Sequence, residues 1–310
     1  MNTPINQHYV PQFLLRNFQI PEKRGKESAI FTFDKSTHNE YQAPIKTTAA
    51  ERYFYEVKEE SYTIEDKLGE YESLTGEIVR KVLENQSIKK ITNKEKVIIA
   101  KFIALQIVRV PAMRNRFTQF TDLIEERFNY FGSRGIPKPS EAEEKISHCN
   151  FVLNTMNDFF PFVYNKDWVL CESVNSDYII GDNPVVLNNT FNKGRGNLGL
   201  ASNGVEIYMP ISPKYCLLLI CRSVRKSISE PLLNSPVNSD IQPSISRLKE
   251  FVRKLKFNET ITSAPENVMF VNSLQVMFAE RFLYSHKKSF DLPKQMAIDG
   301  TLDNKIFHFD

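Results

Sequence analysis

Val97-Ile98-Ile99-Ala100-Lys101-Phe102-Ile103-Ala104-Leu105-Gln106-Ile107-Val108-Arg109-Val110-Pro111-Ala112-Met113 is the longest apolar run of the chain, and its reading decides the fold. Lys101, Gln106 and Arg109 interrupt it, which makes it too polar to span a membrane. It reads as a buried core helix that begins near Asn93. Pro111 has no amide proton and removes the bond to the Ile107 carbonyl, so it kinks or interrupts that helix. Gln106 and Arg109 are three apart and share one side of it. A buried arginine cannot shed its proton and must find an anion, either Glu65 or Glu72 within the protein or a phosphate or carboxylate on a ligand.

Working outward, Thr63 caps an earlier helix with Glu65 and Asp66 in its first turn, running to about Glu84. Ile64, Leu68, Tyr71, Thr75, Ile78 and Val82 form its core stripe. Glu65, Gly69, Glu72 and Gly76 form a second stripe, about 80 to 100° away. Each glycine costs about 1 kcal/mol against alanine in a helix, so two on one line point to a close approach by a neighbouring helix or a ligand. On the other side of Pro111 the helical pattern continues to Phe131, stops at Gly132 to Gly135 and resumes at Ser140. From Trp168 the texture turns to short strands: Trp168 to Glu172, Tyr178 to Ile180, Val185 to Leu187, Val205 to Met209 and Tyr215 to Cys221. Ala29 to Asp34 alternates like a half-buried strand, and Tyr53 to Val57 suggests another. Helices are expected near Asp240 to Leu255 and Glu266 to His286. With no repeat or linker between the parts, the chain reads as one α+β domain, residues 1–310. Its helical middle (about 63–160) packs on a mixed or antiparallel sheet built from the N-terminal and C-terminal parts.

Composition narrows the classes. The chain has 310 residues with 41% hydrophobic and 12% aromatic content, enough for a large core. Forty basic against 37 acidic residues leave a net charge of +3, so any basic surface is local. Such stretches occur at Arg222 to Lys226 and Arg247 to Lys256. Four cysteines without Cys-x-x-Cys spacing, and no secretory leader, fit a reducing cytoplasm. There is no Gly-x-Ser-x-Gly elbow, phosphate-binding Gly-Lys-Ser loop or dinucleotide Gly-x-Gly-x-x-Gly, which argues against serine hydrolases and nucleotide-driven motors.

Two further places draw attention. In Gly181-Asp182-Asn183-Pro184 the proline forces Asn183 out of the helical region, so a strand ends in a bend carrying a carboxylate and a carboxamide. The bend is either an Asx turn or a metal or catalytic site, and the glycine-rich loop Asn188 to Gly204 follows it as a candidate lid. Near the N-terminus, His8 precedes Pro11 and a turn anchored by Phe13, Leu14 and Phe18, which holds the imidazole at the edge of the core.

Gln7-His8-Tyr9-Val10-Pro11 with Phe13 to Phe18, the helix from Ile64-Glu65 to Glu72, Gln106-x-x-Arg109-x-Pro111, Ile180 to Pro184 and Pro210-Ile211-Ser212-Pro213 together resemble the domain of unknown function 4238 family. The resemblance runs from residue 7 to about 285. It implies an intracellular protein widespread in bacteria with no established reaction, and a part in bacterial conflict or phage defence fits the family's general character.

These residues lead to the expectation of a cytoplasmic metal-dependent hydrolase, a nuclease or phosphoesterase. His8, Glu72 and Asp182 would be catalytic, and His8, Glu65 and Asp182 would hold a divalent metal. Gln7, Gln106, Arg109 and Asn183 would bind nucleic acid or another phosphate-containing substrate. No membrane partner is expected. The competing reading is a non-enzymatic protein- or nucleic-acid-binding module built around a buried structural Glu/Arg network.

Overall fold

The computed structural model describes residues 5–23, 25–57, 62–116, 119, 139–191, 198–234 and 242–302. The N-terminal part forms β1 (Asn6–His8), α1 (Gln12–Arg16), β2 (Ala29–Asp34), β3 (Asn39–Pro44), β4 (Ala50–Arg52), β5 (Glu56–Val57) and β6 (Tyr62–Thr63). Helices α2 (Glu65–Asn85), α3 (Asn93–Val108) and α4 (Glu141–Tyr164) follow, then β7 (Asp167–Ser173), β8 (Ile180–Gly181), β9 (Val186–Asn189), β10 (Val205–Pro210) and β11 (Tyr215–Ile220). The chain closes with α5 (Arg222–Asn234), α6 (Gln242–Lys256), β12 (Ile261–Ser263), α7 (Pro265–Phe278), β13 (Phe282–Ser285) and α8 (Asp291–Ile298). The α+β class read from the sequence holds. The stretch expected to be helical up to Phe131 lies largely outside the described residues.

Local chemistry sets the helix ends. Thr92 and Glu95 form a reciprocal capping box at the start of α3, and Ser140 and Glu143 do the same for α4. Thr63 accepts the Glu65 amide proton at 3.2 Å, although Ile64 occupies the cap position of α2. Pro111 interrupts the long apolar helix as expected: α3 ends at Val108, and a new helical turn begins at residue 111. This break leaves Arg109 as the C-cap of α3, its amide still donating to the Leu105 carbonyl at 3.1 Å.

Besides the two-stranded antiparallel pairs β1–β4 and β5–β6, the single sheet expected from the strand pattern is, among the described residues, two larger sheets. One has the order β12-β7-β11-β10-β9, with β12 parallel to β7 and the other neighbours antiparallel. The other, β3-β2-β13-β8, is antiparallel and joins N- and C-terminal strands. Side-chain alternation explains how the larger sheet is covered on both faces. Trp168, Leu170, Ile207, Met209, Leu217 and Leu219 pack with Ile78 of α2 and with Ile99, Phe102 and Ile103 of α3. Val169, Cys171, Tyr208 and Cys216 belong instead to the cluster that includes Val268, Val271 and Leu274 of α7.

The helix expected over Glu266 to His286 ends at Phe278, and Phe282–Ser285 becomes β13 between β2 and β8. Gly181 in β8 makes that junction possible. A methyl group there would lie 2.9 Å from Ala279 Cβ and 3.2 Å from the Gln275 carbonyl oxygen. The helical glycines behave differently from each other. A methyl at Gly76 would meet the Phe13 ring of α1 at 3.2 Å, whereas one at Gly69 meets nothing within 4 Å. Gly181→Ala should therefore lower stability by about 1–3 kcal/mol through overpacking. Urea unfolding would read this as a lower midpoint with an unchanged slope.

Candidate functional site

Arg109 is completely buried, and its guanidinium is surrounded by polar partners. Nη1 pairs with Glu72 Oε1 at 2.7 Å, Nε donates to the Tyr55 hydroxyl at 3.1 Å, and Nη2 donates to the His8 carbonyl at 2.5 Å. The Tyr55 hydroxyl in turn donates to the Arg109 carbonyl at 2.9 Å. Burial works against the guanidinium charge, but Tyr55 and Glu72 outweigh it and hold the group above its ordinary pKa. One turn earlier, Gln106 donates Nε2 to the Tyr9 carbonyl at 2.8 Å. Gln7 completes the set by accepting the Tyr55 amide proton at 2.5 Å. The N-terminal strip, α2, α3 and the segment around Tyr55 thus meet at one ion.

His8 sits at the rim of this cluster. Its Nε2 is 3.3 Å from the Ile45 carbonyl, and Gln12 Nε2 lies 3.5 Å from Nδ1. Burial lowers its pKa, with Arg109 and Arg16 acting in the same direction and the Ile45 carbonyl and Glu72 opposing, so the ring is neutral at pH 7. Glu65, the first residue of α2, is half-buried. Burial pushes its carboxyl up to about 7 against the attraction of Arg109, and Glu72, Asp66 and Glu56 push the same way. Five buried polar atoms here have no hydrogen-bond partner among the described residues: Gln7 Nε2, Gln106 Oε1, Glu65 Oε2, Glu56 Oε2 and Arg109 Nη1, whose contact with Glu72 is an ion pair.

Asp182 stands outside this cluster. Its Oδ1 accepts the Glu280 amide at 2.7 Å, and its Oδ2 accepts those of Arg281 and Phe282 at 2.8 Å each. Burial still pushes the carboxyl up to about 6, against those three amides. Gln275, also completely buried, braces the same bend by accepting the Gly181 amide at 2.9 Å and donating to the Pro184 carbonyl at 3.1 Å. Asn183 donates to the Phe278 carbonyl at 3.5 Å and faces a separate apolar cavity. Tyr9 bridges the two places, because the Asp182 charge acts on the buried hydroxyls of Tyr9 and Tyr284.

The structure therefore brings together Gln7, His8, Glu65, Glu72, Gln106 and Arg109, while Asp182 and Asn183 make their hydrogen bonds to the end of α7 and the chain that follows it. Among the described residues, no group of three or more His, Cys, Asp or Glu side chains is arranged to hold a metal ion, and the expected trio His8, Glu65 and Asp182 is not such a group. Sequence reading missed Tyr55 and Gln275. Tyr55 was read only as part of a strand, and nothing marked its hydroxyl as the one turned inward.

Arg109→Met removes the shared ion and leaves Glu72, Tyr55 and the His8 carbonyl without it; the expected loss is about 3–5 kcal/mol in denaturant unfolding. Asp182→Ala strands three amides and should cost roughly 3 kcal/mol.

No helix among the described residues is long and apolar enough to cross a membrane. No curated protein and no solved structure matches the chain. A family model does match, over residues 6–289, and it spans the N-terminal strip, the Arg109 cluster and the Asp182 bend alike. On that match the chain belongs to the family described as "Protein of unknown function (DUF4238)".

Proposed function

We propose that the protein is a hydrolase that uses acid–base chemistry at the Arg109 cluster on a neutral polar substrate. One observation carries the reading: two carboxyl groups of the same helix stand in opposite environments. Glu72 is held as the partner of the Arg109 guanidinium, while Glu65 is pushed up to about 7. A carboxyl raised to about 7 keeps its proton close to neutral pH, which is what a general acid needs. Glu65 would give its proton to the leaving oxygen as the bond to carbon breaks. Neutral His8 would take a proton from the water whose oxygen forms the new bond.

Phosphate and nucleic acid, expected from the sequence, gain less support. Arg109 is already committed to Glu72, and the charges of Glu72, Asp66 and Glu56 that act on Glu65 disfavour a phosphate beside it. The divalent-metal form lacks a third donor beside His8 among the described residues. The basic helix α6 is partly neutralised as well, since Arg253 pairs with Glu250 and Glu259. A reducing compartment suits the four cysteines, all free thiols.

The test is a panel of p-nitrophenyl glycosides and carboxylic esters beside bis-p-nitrophenyl phosphate, with and without Mn²⁺. Turnover of a glycoside or ester without metal is expected. It should fall as pH rises through about 7, where Glu65 loses its proton, and drop roughly a hundredfold or more in Glu65→Gln. Activity confined to the phosphate diester, dependence on Mn²⁺, or a fully active Glu65→Gln would each overturn the proposal. The same proton is linked to folding. Because the folded-state pKa is raised above the ordinary 4.5, stability is lost as pH rises from about 4.5 to about 7, and Glu65→Gln should flatten that slope.

A further inference from the structure

Beyond the C-terminal end of α3, on another side from Gln106 and Arg109, lies a cavity of about 500 Å³. Its wall is apolar, with Ile107, Phe151, Phe159, Val185, Leu200 and Phe278 among its residues, and Leu198 to Ala201 of the glycine-rich loop close one part of it. Cavities of this size and lining are the usual seats of small molecules. Among the described residues, the polar side chains on this wall are Arg116 and Asn183.

Those two residues specify the kind of ligand. Arg116 is desolvated, which lowers its pKa, with the Glu280 charge opposing the shift, and it is not without partners on the protein. A charged head group is therefore not called for. Asn183 is in the opposite condition. Its side chain is 7% exposed, its Nδ2 reaches the Phe278 carbonyl at 3.5 Å, and its Oδ1 is buried with no hydrogen-bond partner among the described residues. An amide oxygen left so costs free energy until a donor reaches it. Its place is fixed by the chain on either side: Asp182 is tied to three amides, and the Pro184 carbonyl is tied to Gln275. The Asp-Asn-Pro bend thus uses its carboxylate to hold the fold and leaves its carboxamide at the cavity wall.

We propose that this cavity binds a neutral amphipathic small molecule, an apolar body ending in a hydroxyl or amide donor that pairs with Asn183 Oδ1. The site is separate from the Arg109 cluster and does not depend on the hydrolase reading. The probes are decanol and decane, titrated against the full chain by displacement of a fluorescent apolar dye. Decanol should bind about tenfold more tightly than decane, the advantage of one hydrogen bond of about 1.4 kcal/mol. Asn183→Leu should abolish that preference while keeping decane binding. Val185→Trp, which fills the cavity, should bind neither probe, and its thermal unfolding midpoint shows whether it is folded. Equal binding of the two probes by the unsubstituted protein, a preference that survives in Asn183→Leu, undiminished binding in a folded Val185→Trp, or no displacement by either probe would overturn the proposal.

Discussion

A guanidinium placed where no water reaches it must be neutralised and hydrogen-bonded by whatever surrounds it, because it cannot give up its proton. Arg109 meets that requirement with partners drawn from distant parts of the chain: a carboxylate of α2, the hydroxyl of Tyr55 and the carbonyl of His8. The interruption at Pro111 makes this possible. By ending α3 at Val108, it leaves Arg109 as the helix cap, with its side chain free to leave the apolar face. The β1–β4 ribbon then follows, since the strip must present its carbonyls to Arg109 and Gln106 while pairing with Ala50–Arg52. Such an ion contributes less to net stability than to selecting one arrangement, and removing it leaves several groups stranded at once.

A second constraint of opposite sign operates at the Asp182 bend. There a buried carboxylate accepts three consecutive amides, and those amides carry the chain from the end of α7 into β13. The Asp182 charge acts on the buried hydroxyls of Tyr9 and Tyr284, and the Tyr9 carbonyl accepts from Gln106. The polar residues of the molecule thus fall into two groups with different duties: Arg109 gathers Glu65 and His8 at a half-buried rim, and Asp182 holds a turn beside an apolar cavity.

Much of this was legible in the sequence for physical reasons. An arginine inside Val97 to Met113 demands an anion, and Glu72 on the neighbouring helix was one of two candidates. The helix starts read near Asn93 and at Ser140 agree with α3 and α4, and the strands read over β7, β10 and β11 are strands covered on both faces. What stayed hidden depends on contacts distant in sequence. Ala279-Glu280-Arg281 extends a helical pattern, and only the Asp182 carboxylate diverts it into β13. Asp182 looked like a ligand because a carboxylate at a strand end has the same local sequence whether it meets a metal or a row of amides. The sheet divides in two because β13 joins β2 across most of the chain, a pairing that periodicity does not encode.

The central claim is that Arg109 fastens the N-terminal strip to the helical middle. Hydrogen exchange of the Tyr9 amide, bonded to the Ala49 carbonyl at 3.0 Å, tests it most directly when the unsubstituted protein is compared with Arg109→Met. The account predicts that protection at Tyr9 and along β1 and β4 collapses in the variant while amides of the β7–β11 pairing stay protected. Equal loss across both regions, or unchanged protection at Tyr9, would contradict it.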